Sequence, residues 1–147
     1  MVFIANPAAP SDEDDIDNFS EFWPPFVAAD ARSILRLESD ITTARLTALL
    51  QNAIIDVNAE LVDYVSEHQA AEISFEQIPD SKKHQYRRAI YASAQAQLLS
   101  DMRDYDTTSS GQDRADEVNA SIDVQRRVST LAIRSILGKS SSHIELI

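Results

Sequence analysis

Between Thr42 and Gln69 the residues Leu46, Leu50, Ala53, Ile54, Val57, Leu61, Tyr64 and Val65 recur every three or four positions, the period of one face of an α-helix. Thr42 is a good N-cap, and the run predicts a rod of roughly 40 Å at ~1.5 Å per residue. Opposite the main stripe lies a thinner one: Ala48, Ile55, Ala59 and Val62. One apolar face makes a bundle helix. A second face requires a second partner, either another helix of this chain or a neighbouring subunit.

A short helix is expected from about Ala28 to Leu37, with Ile34, Leu35 and Leu37 as its apolar residues. After EISFEQIP, where Phe75, Ile78 and Pro79 tie down a connection, a long helix runs from Asp80 or Ser81 to about Tyr105. Its middle, AIYASAQAQLL, is small or apolar almost all round, which suits a central position with close neighbours. A polar loop, Asp104 to Asp113, precedes a last helix that ends near Leu137. That helix carries Val118, Ile122, Ala132, Ile133 and Ile136 on one face, widened by Val124, Val128 and Leu131, and Gly138 is placed to cap it. Gly111 and Gly138 are the only glycines, too few turn residues for a strand-rich fold. The predicted fold class is therefore all-α: a helical bundle of three long helices plus a short N-terminal one. The helical body spans 27–138, between an extended arm (1–26) and a C-terminal tail (139–147).

The arm begins apolar and carries Asp12, Glu13, Asp14, Asp15, Asp17 and Glu21 with no basic residue. It then reaches Phe22, Trp23 and Phe26, and reads as a solvated acidic linker followed by an aromatic anchor. A hydrophobic content of 44% over 147 residues and a mean hydropathy of −0.26 describe one globular domain. No apolar run approaches the ~20 residues of a membrane span, and the N-terminus lacks the basic start of a signal peptide. The absence of cysteine removes disulfides, zinc–thiolate sites and thiol nucleophiles. A net charge of −11, from 13 basic and 24 acidic residues, argues against nucleic acid as a tight ligand, because that affinity comes from Lys and Arg. It is compatible with DNA sliding past without sticking.

Catalytic chemistry is not indicated. His68, His84 and His143 fall in three different segments, without the i, i+4 pairing of a helical metal site. The arm's DEDD lacks the Gly turn and terminal Glu of a calcium loop. There is no Gly-rich phosphate loop and no Ser-centred elbow, so neither enzyme nor cofactor is expected. The chain closes on His143-Ile144-Glu145-Leu146-Ile147 after three serines. Ordering such a tail costs about 1 kcal/mol per residue, and burying each large aliphatic returns roughly 1.5–3 kcal/mol. The two nearly cancel. Docking therefore needs extra backbone hydrogen bonds or repetition around a ring, and the tail's destination is either its own bundle or a partner.

Two blocks carry a family resemblance. The first comprises Arg36-Leu37-Glu38, Arg45-Leu46, Asn58-Ala59-Glu60-Leu61 and Tyr64. The second includes Tyr86, Arg88-Ala89, Ala94, Ala96, Leu98, Arg103, Asp106, Gly111, Ala115-Asp116, Ile122-Asp123, Arg127, Ala132, Ile136 and Gly138-Lys139. In order and spacing, from about Ala28 to the end, the chain resembles the head-completion proteins (GpL-like) of temperate contractile-tailed phages.

The resemblance implies a structural adaptor of the virion neck, made in the host cytoplasm. Typically such a protein forms a twelve-membered ring under the portal, stabilises the DNA-filled head and presents a surface to the next neck or tail-terminator protein. His143, Ile144, Glu145, Leu146 and Ile147 would then grip the portal. The stripe Ala48, Ile55, Ala59 and Val62 would pack a neighbouring subunit. Arg45 and Glu60 beside it, with Asp56 and Asp63, would meet Arg87, Arg88 or Arg103 of that neighbour. Asp106, Ser109, Ser110, Gly111 and Gln112 are candidates for channel or tail contact, and DNA would pass without tight binding. A competing expectation is a stand-alone acidic binding module, a DNA mimic or chaperone, whose working parts are the arm and Phe22-Trp23-Phe26.

Overall fold

The computed structural model describes residues 8–105 and 112–139. These form five helices: α1 (Ala28–Ile34), α2 (Thr43–Glu60), α3 (Val62–Ala70), α4 (Asp80–Tyr105) and α5 (Gln112–Ile136). They also form one antiparallel pairing, β1 (Asp15–Ile16) with β2 (Phe26–Val27), in which Ile16 faces Phe26. The chain is thus mostly helical but not purely so. The arm folds back on itself, and the small ladder satisfies backbone groups beside the buried Ile16 and Phe26.

Helix α4 is the element against which α2 and α5 both pack. Asn58 meets Tyr86 and Arg45 approaches Asp101, so α2 runs antiparallel to α4. Three contacts set α5 antiparallel to α4 in turn: Lys82 with the Ile136 carbonyl, Ser129 with the Ala89 carbonyl, and Arg103 with Asn119. The small residues Ala89, Ala92, Ala94 and Ala96 are buried along α4, as its composition predicts, and allow close approach. The core joins Leu46, Leu50, Ile54 and Val57 of α2 to Tyr86 and Ile90 of α4 and to Ile133 and Ile136 of α5.

The single rod predicted over Thr42–Gln69 is instead two helices, separated at Leu61 (φ −102, ψ 7). The Leu61 amide donates to both the Val57 and Asn58 carbonyls, so the turn tightens without losing its donor. Thr42 is the N-cap, accepting from the Arg45 amide at 3.2 Å. Helices α1, α3 and α5 share one ending, with a residue of positive φ after the last turn: Arg36 (53°), Glu72 (57°) and Gly138 (69°). In each, the following amide reaches back to a carbonyl of the last turn (Leu37 to Arg32, Ile73 to His68, Lys139 to Arg134).

The arm is packed against the helices. Ile16, Asn18, Phe22, Trp23 and Phe26 are buried, and the Trp23 ring stacks on Tyr86 with centroids 3.8 Å apart. Asn18 Nδ2 donates to the Pro24 carbonyl (2.8 Å) and to the Tyr86 hydroxyl (2.9 Å). That hydroxyl donates to Asn58 Oδ1 (2.7 Å), and Asn58 Nδ2 donates to Asn18 Oδ1 (2.9 Å). One closed polar network therefore fastens the arm to α2 and α4. Burial pushes the Tyr86 phenol well above its ordinary value, against the opposing hydrogen bonds of Asn18 and Asn58.

Nor is the arm's acidic stretch uniformly solvated. Asp12 accepts from Arg32 Nε at 2.8 Å and from the Thr43 hydroxyl. Arg32 also donates to the Glu38 and Ile41 carbonyls, joining the arm, α1 and the entry to α2. The Arg32 and Thr43 hydrogen bonds hold the Asp12 carboxyl below its ordinary value. Two smaller expectations are corrected. Ile34 is exposed, and Ala28 and Ala31 are the buried residues of α1. Val124 and Leu131 do not widen the buried face of α5 but point outward.

Candidate assembly interface

The main stripe of α2 and α3 is spent on the core, which fixes what the opposite side presents. Ile55 is 52% exposed and Val62 57%, with Ala48 and Ala59 also exposed in line with them. No described residue of this chain covers the stripe. Of the two partners the pattern allowed, another helix of the same chain is therefore absent among the described residues. Asp56, Glu60 and Asp63 stand exposed on one flank, in no ion pair among the described residues. Arg45, one end of this row, lies 3.9 Å from Asp101 with both side chains well exposed, too loose to bind the row to its own chain.

The other sequence-nominated residues are scattered. Arg88 is exposed on α4. Arg103 is engaged within its own chain, donating to Asp104 at 3.0–3.1 Å and to Asn119 Oδ1 at 2.7 Å. Gln112 opens α5, whereas Asp106, Ser109, Ser110 and Gly111, like His143 to Ile147, lie outside the described residues. Sequence reasoning missed a second outward stripe on α5, formed by Val124 (57% exposed), half-buried Val128 and Leu131 (39%). Its 4–3 spacing resembles that of a core face, and only the positions of Ile122, Ser129 and Ile133, which face inward, separate the two.

Features on which other functions would rest are used structurally. Phe22, Trp23 and Phe26 are core residues, so they are not available as the exposed working parts of a stand-alone module. The ring of His68 lies over Tyr64 and its Nδ1 is 2.8 Å from the Tyr64 carbonyl. Among the described residues no group of three or more acidic or histidine side chains is gathered to hold a metal ion. Also among them, no helix is long and apolar enough to cross a membrane.

Comparison with known proteins agrees with this structural character. The family model described as phage head completion protein (GPL) matches residues 18–147. The match therefore begins at Asn18, within the buried network, rather than at Ala28. The chain is also 31% identical to the head completion/stabilization protein of Escherichia phage P2, over 94% of this chain and 85% of that protein. No solved structure matches. Matched along most of its length, the chain belongs to the phage head completion protein (GPL) family, a structural family of the virion and not a known enzyme family.

Proposed function

We propose that the chain completes and stabilises the head as a ring-forming adaptor at the head–tail junction. In this reading it binds beneath the portal and offers the next neck or tail-terminator protein its docking surface. The observation that carries it is the uncovered stripe Ala48, Ile55, Ala59 and Val62. A ring subunit would cover this stripe against its neighbour, which the described residues of the monomer do not do. Arg45, Glu60, Arg88 and Arg103 border or approach the subunit contact. Asp106, Ser109, Ser110, Gly111 and Gln112 lie in the segment that faces the channel or the tail. His143 to Ile147 grip the portal. A net charge of −11 keeps the ring from holding the DNA that passes it. The subunit number of twelve follows the family resemblance.

The magnitudes favour assembly on a template. Covering two half-exposed aliphatics gains about 2–3 kcal/mol per contact, less than the roughly 4–15 kcal/mol lost in bringing two free molecules together. Free protein is then monomeric, and the contact acts once neighbours are held side by side on the head. Native mass spectrometry of the protein mixed with its cognate portal ring tests this. Full-length chain should add in a fixed ring stoichiometry, and a truncation ending at Lys139 should not. If full-length chain fails to add, the portal-ring reading is wrong. If the truncation adds equally well, the tail is not the grip.

A further inference from the structure

A ring closes only if each subunit offers two different surfaces, one for each neighbour. We propose that the surface received by the α2–α3 stripe is the Val124–Val128–Leu131 stripe of α5 on a second copy of this chain, with Asp56 of one copy facing Arg127 of the next. This rests on the ring reading above and adds to it the identity of the opposing face.

Three features of the monomer support the pairing. Each stripe lies on the side of its helix turned away from α4, so neither blocks the other. They also lie at one height. Asn58 faces Tyr86 across α2 and α4, and Ala89 faces Ser129 across α4 and α5. Ile55, three residues before Asn58, is therefore level with Ala89 and with Val128. Faces at equal height join copies side by side in a plane, the arrangement that closes instead of climbing into a filament.

The third feature is charge. Both α2 and α5 run antiparallel to α4, so they run parallel to each other. When two parallel helices meet stripe to stripe, the flanks that touch are those rotated in opposite senses from the stripe. At about 100° per residue, Asp56 lies roughly 100° to one side of Ile55, and Arg127 lies roughly 60° to the other side of Val124. Asp56 therefore turns toward Arg127, on a flank of mixed charge that Asp123 shares one turn earlier. Asp56 is one residue after Ile55 and Arg127 one before Val128, which puts the pair about 3 Å apart in height. Both are exposed, and neither has an ion-pair partner among the described residues. Pairing α2 antiparallel with another α2 would instead bring the same acidic flanks together.

The test is a charge exchange read on assembled particles. Wild type, Asp56→Arg, Arg127→Asp and the double variant are each supplied to heads lacking the protein, and copies per purified head are counted by quantitative mass spectrometry. Either single variant should lower the count roughly tenfold or more, because like charges then oppose each other at every contact. The double variant should restore it to near wild type. If Arg127→Asp binds as well as wild type while Asp56→Arg does not, α5 is not the opposing face and the proposal is overturned while the ring stands. If the wild type itself is present in fewer copies than a ring requires, the ring reading fails and this pairing with it. An independent measurement uses the cysteine-free background. Ile55→Cys with Leu131→Cys in one chain, joined by a short bis-maleimide, should give a ladder of linked subunits, and neither substitution alone should. Dimers from Ile55→Cys alone would overturn the proposal.

Discussion

Replacing Tyr86 by Phe removes one oxygen from a site that is otherwise unchanged. The ring keeps its stack on Trp23 at 3.8 Å, and Asn18 Nδ2 keeps the Pro24 carbonyl at 2.8 Å. The loss falls on Asn58, whose Oδ1 gives up a 2.7 Å bond from the hydroxyl in a place with little water to replace it. Orphaning a buried acceptor costs about 1–3 kcal/mol. Trp23→Ala, which empties the stack, should cost more, about 3–5 kcal/mol. Urea unfolding followed by circular dichroism reads both as a lower midpoint at unchanged slope. A cycle of Tyr86→Phe with Asn58→Ala should show coupling of roughly 0.5–3 kcal/mol. High pH supplies a second reading. The folded phenol ionises later than the unfolded one, whose value is near 10.0. Its contribution is therefore fully present below that pH and falls as pH rises above it, because only the unfolded state releases the proton. The alkaline loss of stability should be shallower in Tyr86→Phe. A change under about 0.5 kcal/mol with no coupling would refute the account of the arm as an integral, network-locked part of the body.

Three other positions give measurable outcomes. The Asp12 carboxyl is held below its unfolded value of 3.8 by Arg32 and Thr43, so its contribution is present above that pH and is lost as pH falls through the lower folded value. Acid unfolding of Asp12→Asn should start from lower stability and be less steep. Glu72 holds a φ of 57°, so Glu72→Gly should raise stability by about 1 kcal/mol, measured as a higher urea midpoint; a loss would mean that the Glu72 side chain matters more than its backbone. Val62→Asp, on a residue 57% exposed, should leave monomer stability within about 0.5 kcal/mol while preventing incorporation into heads.

Periodicity made α5 and the first turns of α2 legible, with Thr42 and Gly138 as recognisable caps, whereas α4 was legible from a middle that is small or apolar almost all round. Leu61 could not be read as a break. It is apolar, sits in register with the stripe and is buried, and the chain departs from helix there through a backbone torsion with no Gly or Pro to announce it. With two glycines in the whole chain, left-handed turns fall on Phe19, Arg36 and Glu72, residue types that give no warning of such turns. Asn18 was equally silent. One amide amid acidic residues has no period, and its role exists only because Tyr86 and Asn58 converge on it from distant helices. The α2–α3 stripe was visible because it stands opposite an unambiguous core face. The α5 stripe was not, because Val124, Val128 and Leu131 share the spacing of core residues and only packing against α4 decides which row turns inward.

In the proposed ring, the uncovered α2–α3 stripe is where one subunit meets the next. The most direct test of this is the number of copies of Ile55→Asp per purified DNA-filled head, counted beside wild type by quantitative mass spectrometry, with circular dichroism of both free proteins as the folding control. Equal folding, a full ring of wild type and few or no copies of Ile55→Asp are the predicted result. A normally folded Ile55→Asp present at the wild-type count in complete, infectious particles would contradict it.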